Sequence, residues 1–386
     1  MIFLLNIIKI LFLIISVRCF HLNPTKRINN MVLNDDKVPP MWSLISTPLK
    51  EQARRWFINR AILKGIDWEK LTDYYKIPTN FAELEEFKSK LEDTTVKYPE
   101  YFLKPFHGYD EGNMNWLAAQ ENEAASLSMC ANYWKGVCAL DSERWVRYNV
   151  SKNIKSYIRD TELYDSLESI LDVGCSGGIS TEYLKKGFPQ VSNIYGLDLS
   201  PYFISIGAFR SEKQNANIEY VHANAEKTPF SENTFDLIVC NFLFHEVPPK
   251  ATQIILDEMM RILSPGGVLT VVDLDPEVLK GDALLSQFRK WAFEVTEPHI
   301  YNYYESNISK YLEEAGFQDV VKKSNDPINA VWLGRKSSEL SNKLYNITVK
   351  DICDCCTDCD CECCTNTSDS YKKLPKYSFT TFDYAV

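Results

Sequence analysis

The stretch that most constrains the fold is Ile170-Leu171-Asp172-Val173-Gly174-Cys175-Ser176-Gly177-Gly178-Ile179-Ser180. An apolar, β-branched run closes on an acid, passes through a glycine-rich turn and continues into residues able to start a helix. This pattern predicts a strand whose C-terminal end opens into a tight loop at a helix N-terminus. Backbone can approach a ligand closely there, and the first helical N–H groups have no intrahelical partner. Further apolar runs at Ile194–Leu197, Ile218–Val221, Leu237–Cys240 and Val268–Val272 alternate with segments of helical length. Such alternation specifies an α/β fold: a doubly wound, mainly parallel sheet of about seven strands with helices on both faces. A last helix, about Ser306 to Ala315, should stop at Gly316. Asp319–Val321 and Ala330–Leu333, flanking Pro327, should finish the sheet as a hairpin.

The chain has 386 residues, 45% hydrophobic and 24% charged, which excludes wholesale disorder. A net charge of −10 argues against a nucleic-acid partner. Residues 1–38 read as a leader. The clean apolar run Ile10–Val17 is short of the roughly 20 residues that span a bilayer, but it fits a secretory h-region. Lys26 and Arg27 follow, and no acid occurs before Asp35. The expected route is secretory, to a plastid through a bipartite leader; a secreted or signal-anchored protein is the alternative.

Residues 39–160 form a helical lead-in. Asn80 and Glu83 resemble a capping box, and Phe81, Leu84, Phe87 and Leu91 make an apolar stripe at helical spacing. Gly65 closes the segment before it. The aromatic run Tyr98–Tyr109 breaks the helical pattern at its prolines. It either plugs the lead-in onto the next domain or roofs a ligand pocket. Residues 161–336 carry the alternating α/β pattern, and 337–386 are a cysteine-rich tail expected to be disordered. Of the twelve cysteines, seven lie in that tail: Cys353, Cys355, Cys356, Cys359, Cys361, Cys363 and Cys364. Their spacing suits a soft metal, zinc or copper, with acylation or a low-complexity tail as alternatives. The remaining five make no disulfide framework, and Cys175 and Cys240 are expected to pack within the fold.

Four features recur in order along the α/β half. Asp172 precedes the Gly174–Gly178 loop. Asp198 closes the second strand, followed by Leu199. Ala223-Asn224-Ala225-Glu226 follows the third. Phe235–Asn241 is the fourth strand, with Pro265-Gly266-Gly267 ahead of the fifth. In a doubly wound sheet the ligand lies across the carboxyl ends of the strands, where their order reverses. The glycine turn receives the part of the ligand needing close approach, and an acid one strand over can accept both ribose hydroxyls. Polar groups after the third strand can read an adenine edge. A nicotinamide dinucleotide is disfavoured, because its fingerprint is G-x-G-x-x-G and the glycines here are at 174, 177 and 178.

The set resembles the class I S-adenosylmethionine-dependent methyltransferases, of the small-molecule kind that includes quinone-biosynthesis enzymes, over about Leu167 to Arg335. Lys97 to Trp116 is similar to the lead-in of a plant and algal plastid branch. The resemblance implies a Rossmann-like domain with S-adenosylmethionine as cofactor. In it Asp172 would hold the methionine amino group through water, and Gly174, Cys175 and Gly178 would pass under the methionine moiety. Asp198 would bind the ribose diol beside Leu199, Asn224 and Ala225 would frame the adenine, and Asn241 would border the methyl group. Two positions depart from the family pattern. Ser176 replaces its middle glycine and is expected to take an ordinary backbone angle. Asn224 replaces its adenine-contacting acid, with a carbonyl that can still accept from the exocyclic amine.

The implied partner is a small, hydrophobic, quinone-, isoprenoid- or lipid-like acceptor, bringing the chain near a membrane; the sequence leaves the oligomeric state open. A hydroxyl or ring-carbon acceptor needs a base. His245 and Glu246 are the candidates, with a loop hydrogen bond and a helix cap as their alternative roles. His299, Tyr303 and Tyr304, with Tyr301, fall where the family binds acceptors, and plain packing is the alternative. Two rival functions remain: a non-catalytic S-adenosylmethionine-binding regulator, and a soft-metal-handling protein working through its tail.

Overall fold

The computed structural model describes residues 54–131, 133–280 and 297–338. The leader and the Cys353–Cys364 cluster lie outside them. A helix over 54–63 (α1) is followed by α2 (Trp68–Lys76), α3 (Pro78–Leu91), α4 (Trp116–Cys130), α5 (Ala139–Ile158) and the short α6 (Leu163–Ser166). The alternating half then runs β1 (Ser169–Val173), α7 (Ile179–Gly187), β2 (Asn193–Asp198), α8 (Pro201–Gln214), β3 (Glu219–His222), β4 (Phe235–Asn241) and α9 (Pro249–Ile262). It closes with β5 (Leu263–Leu274), α10 (Pro276–Lys280), α11 (Ile300–Tyr304), α12 (Ile308–Glu314) and the hairpin β6 (Gln318–Ser324) and β7 (Asn329–Arg335).

The seven strands lie in the order β3-β2-β1-β4-β5-β7-β6. Strands β1 to β5 pair in parallel, and β7 runs antiparallel to both β5 and β6. Strand order reverses between β1 and β4, so a crevice opens above their carboxyl ends. Each face of the sheet is buried under helices, as the unbroken apolar runs require. Leu171, Val173, Ile238 and Cys240 pack with Ile255, Leu256 and Met259 of α9 and Leu312 of α12. Ile170, Ile194, Leu237 and Val239 pack on the opposite face with Leu184 of α7, Ile204 of α8, and Val150, Ile154 and Ile158 of α5. Helix α5 is therefore one of the sheet's own covering helices, and a boundary at residue 160 cuts through this packing. The lead-in is divided: α5 covers the sheet, and the helices before it pack further out.

Helices α2, α3 and α4 dock on the outer side of α8, through Tyr75, Leu84, Ala118 and Ala119 against Phe203, Ile206 and Phe209. Arg210 of α8 fixes this contact, reaching Glu182 of α7 with two nitrogens and Glu123 of α4 with a third. The capping box expected at Asn80 does not form. Helix α3 starts at Pro78 with Ile77 as its N-cap, three residues before Asn80, because proline's fixed φ suits the first helical position and holds Ile77 extended. The Asn80 amide instead donates to Tyr74 O.

Tyr220 of β3 explains how β2, α7 and α8 come so close. A Cβ on Gly178, Gly196 or Gly207 would lie 2.1, 2.8 or 2.5 Å from its side chain, so the ring fills a slot that these glycines leave open. Gly178 has in addition φ +80°. Gly178→Ala should destabilise the protein by about 2–3 kcal/mol, read as a lower urea midpoint. Adding Tyr220→Phe should recover part of the loss, because it removes the atom in closest conflict.

Candidate active site

The carboxyl ends of the strands open into a cavity of about 380 Å³. Its sheet-side wall comprises Gly174, Cys175 and Ser176 after β1, Asp198 and Leu199 after β2, Asn224 and Ala225 after β3, and Asn241 closing β4. Seven of the nine residues in which the sequence suggested a cofactor site thus line one wall; Asp172 and Gly178 do not. The Asp172 carboxylate is completely buried, accepting from Ser180 Oγ at 2.6 Å, Thr181 Oγ1 at 2.7 Å and Asn241 Nδ2 at 3.1 Å. Burial raises its pKa, and those hydrogen bonds oppose the rise. Gly178 faces Tyr220 and Gly207 and is absent from the wall. The Pro265-Gly266-Gly267 turn lies at the opposite end of the sheet, where Gly266 N bonds Lys336 O.

Ser176 does not take the ordinary backbone angle expected of it. Its φ is +52°, in the left-handed region, which costs a non-glycine residue about 1 kcal/mol. Two contacts hold it there: Ser176 N donates to Asp198 Oδ2 at 2.8 Å, and Asn122 Nδ2 of α4 donates to Ser176 Oγ at 2.9 Å. A side chain at Gly177 would collide with Asn122, so the neighbouring glycine is what lets α4 reach the loop. Asp198 Oδ1 accepts from Ser200 N at 2.8 Å. Burial pushes this carboxyl up to about 6, against the backbone N–H groups that stabilise its charge. Asn224 Oδ1 already accepts from Glu226 N at 2.9 Å, leaving one lone pair for another donor.

Two buried side chains on this wall keep polar atoms without a partner among the described residues. Asn241 Oδ1 has none, because its Nδ2 is committed to Asp172. Arg147 of α5 is 9% exposed; its Nη2 donates to Ser126 Oγ at 3.5 Å and its guanidinium lies over the Phe242 ring, while Nε and Nη1 have no partner among the described residues. The acid one turn before it, Glu143, is engaged with Ser126. Two guanidinium nitrogens buried without partners are costly, and they leave donors free for an acceptor at the cavity.

The opposite wall and roof come from the lead-in. Phe57, Trp68, Tyr101, Phe102, Phe106 and Tyr109 line it, so the aromatic run roofs the pocket as well as plugging the interface. Tyr109 Oη and Arg54 converge on Glu121, and Tyr101 Oη donates to Glu226 at 2.6 Å. The strand-end histidine His222 ties the base of this strap. Its Nδ1 accepts from Asp93 N at 3.0 Å, which leaves the proton on Nε2 for Leu199 O at 3.0 Å, with Tyr98 Oη at 3.1 Å.

His245 and Glu246 line the cavity as well. His245 Nδ1 is 2.7 Å from Asp273 Oδ1, and Asp273 Oδ2 accepts the backbone N–H groups of Phe244 and His245. Burial opposes a charge on His245, but the Asp273 carboxylate outweighs it and pushes the imidazole up to about 9. Burial also raises Glu246, with His107 and His245 pulling the other way. His299, Tyr303 and Tyr304 do not line this cavity. Tyr303 is core, 3% exposed, with its hydroxyl on Leu274 O at 2.6 Å; Tyr304 packs against the same core, and His299 sits edge-on to Tyr101. Among the described residues no group of three or more His, Cys, Asp or Glu side chains could hold a metal ion.

Sequence reasoning missed Asp273, His107, Glu297, Asn122 and Arg147. Asp273 had a signal, since it closes an apolar strand just as Asp172 and Asp198 do.

A family profile described as "Methyltransferase domain" matches residues 171–271. A demethylmenaquinone methyltransferase from a Geobacillus species is 34% identical over 119 residues, 31% of this chain and 50% of the relative. One from Staphylococcus aureus is 27% identical over 186 residues, 44% of this chain and 76% of the relative. The chain spans about half the length of the first curated relatives it matches. A solved S-adenosylmethionine-dependent methyltransferase from Aquifex aeolicus superposes with a TM-score of 0.39 at 20% identity, covering 50% of this chain and 92% of that one. Residues 171–271, which carry most of β1, β2 to β4, most of β5 and the strand-end residues of the polar wall, thus match a methyltransferase domain, and the relatives they are similar to are demethylmenaquinone methyltransferases.

Proposed function

We propose that the chain transfers a methyl group from S-adenosylmethionine to a small, hydrophobic, quinone-like acceptor. The observation that carries this reading is a single cavity with two unlike walls. One gathers glycine backbone, an acid, a guanidinium with two nitrogens free among the described residues and an amide oxygen in the same state; the other is aromatic, and His245 and Glu246 line the cavity as well. The name of the relatives, demethylmenaquinone methyltransferase, supports the acceptor class.

The polar wall fits the cofactor residue by residue. The Arg147 nitrogens suit the methionine carboxylate, and Asn241 Oδ1 suits its ammonium group. Asp172 acts one step back, by holding the Asn241 amide so that its oxygen faces the cavity. Each Asp198 oxygen has spent one lone pair on a backbone N–H and keeps another for a ribose hydroxyl. Leu199 and Ala225 offer apolar contact to the adenine. Bound there, S-adenosylmethionine supplies a methyl group on a sulfonium sulfur.

The transfer is an in-line displacement, so holding the acceptor in register supplies much of the rate. The aromatic roof does this and excludes water. His245 is charged at neutral pH and has both nitrogens protonated, so it cannot take a proton; Glu246, raised toward neutrality, is the better base.

Calorimetry on the purified chain should give saturable S-adenosylmethionine binding that Asp198→Ala weakens at least tenfold. No binding by the unaltered chain would reject the reading. Arg147→Gln should weaken S-adenosylmethionine by about 10–100-fold, the worth of a charged hydrogen-bond pair. Methylthioadenosine, which lacks the amino-acid end, should bind that variant and the unaltered chain within a factor of about three. Equal losses for both ligands would place Arg147 elsewhere in the site.

A further inference from the structure

We propose that His107 is a positioning residue of the acceptor side: bridged between the carboxylates of Glu297 and Glu246, its imidazole sets the orientation and the charge of the base. The inference rests on the methyl-transfer reading above and extends it to a residue 64 positions upstream of the matched domain, which starts at 171.

The geometry is specific. His107 Nε2 lies 2.9 Å from Glu297 Oε1 and 3.5 Å from Glu246 Oε1, so one nitrogen faces two carboxylates. Glu297 is 3% exposed, and its other oxygen has no partner among the described residues. His245 Nε2 stands 4.0 Å from the same Glu246 oxygen, anchored from behind by Asp273. Glu246 is therefore held between two imidazoles from two distant stretches of chain. The groups that face it are His107 on the strap, His245 on its own loop, Glu297 ahead of α11 and Asp198 at the end of β2.

The backbone presents His107 at some expense. Phe106 and Tyr109 exchange N–H···O bonds of 3.0 and 2.8 Å, closing a two-residue hairpin with His107 at φ +53° and Gly108 at φ +86°. Glycine and asparagine are the usual occupants of such a turn, and a histidine there bears strain of about 1 kcal/mol. The hairpin's flanks are fixed by Tyr109 on Glu121 and by the Phe106 ring against the imidazole. The side chain keeps 38% of its surface accessible because it projects into the cavity. Burial alone would disfavour its charge, but Glu297 and then Glu246 reverse that and raise its pKa.

The step it serves balances simply. An acceptor X–H forms an X–C bond to the methyl carbon as the S–C bond breaks. The S–C electron pair stays on sulfur, and the X–H proton passes to Glu246. An imidazolium beside Glu246 favours its ionised form and so keeps it ready to receive that proton.

The test uses the full chain in two arms. The sequence has five histidines, few enough to follow each ring Cε1–H signal by NMR against pH, with His107→Asn assigning its own signal. Asparagine tolerates positive φ, so this variant keeps the turn. The His107 midpoint should lie above the ordinary 6.5 and fall by about one unit, tenfold in proton affinity, in Glu297→Gln and in Glu246→Gln. The sign follows because each carboxylate holds the proton on the ring. A midpoint that neither substitution moves overturns the proposal.

The second arm follows labelled methyl transfer from S-adenosylmethionine into chloroform-soluble material of a cell extract. In His107→Asn the acid limb of the rate should move to higher pH by about one unit, with S-adenosylmethionine binding unchanged. A rate lowered equally at every pH marks a mere strut and overturns the proposal. No transfer by the unaltered chain sinks the methyl-transfer reading instead, and the NMR arm still decides the role of His107.

Discussion

The Asp172 carboxylate is the constraint on which the site depends. It is fully buried, and its desolvation is offset by three donors that come from two other places in the chain. Ser180 and Thr181 belong to the first turn of α7, whose N-terminal dipole also favours an anion. The third donor is the amide of Asn241, at the end of β4. One acid thus fixes where α7 begins and which way Asn241 points, across the seam where strand order reverses. Replacing it with an apolar residue would strand all three donors, a larger loss than the net worth of the bonds themselves.

The lead-in is a structural part of the site. Helix α4 touches the glycine loop through Asn122, α5 contributes both core packing and Arg147, and the strap from Tyr98 to Tyr109 closes the aromatic side. Arg210 joins α4, α7 and α8 in one buried ionic cluster, where each acid satisfies part of a guanidinium that would be costly to bury unpaired. A polar wall and an apolar wall meet because two separate lengths of chain are clamped to the same helix.

The strands were legible in the sequence because a parallel sheet buried on both faces needs unbroken apolar runs, and each run ends where its strand does. The wall residues that follow those strands, Gly174, Asp198, Asn224 and Asn241, were legible for the same reason. What escaped was set by tertiary contact. Nothing local says that Ser176 must adopt a positive φ; Asn122 and Asp198 impose it from outside. Nothing in α5 separates Arg147 from its charged neighbours until Glu143 is seen engaged with Ser126. His107 was one polar residue in an aromatic run, and its turn carries Gly108 as the only hint. Tyr303 and Tyr304 were misplaced because position along the chain after β5 does not say on which side of the wall a returning segment lies.

The Phe106–Tyr109 hairpin has a consequence for how a protein of this design can diversify. It is a two-residue turn hung between fixed flanks, and its own backbone bonds close on each other rather than on the sheet. On the proposed reading, changes at its tip would alter the acceptor side of the cavity, the charge of Glu246 included, while leaving the strand-end residues of the polar wall in place. A few exposed bonds of one loop would then suffice to vary the acceptor side, while the residues that follow the strands stay under separate constraint.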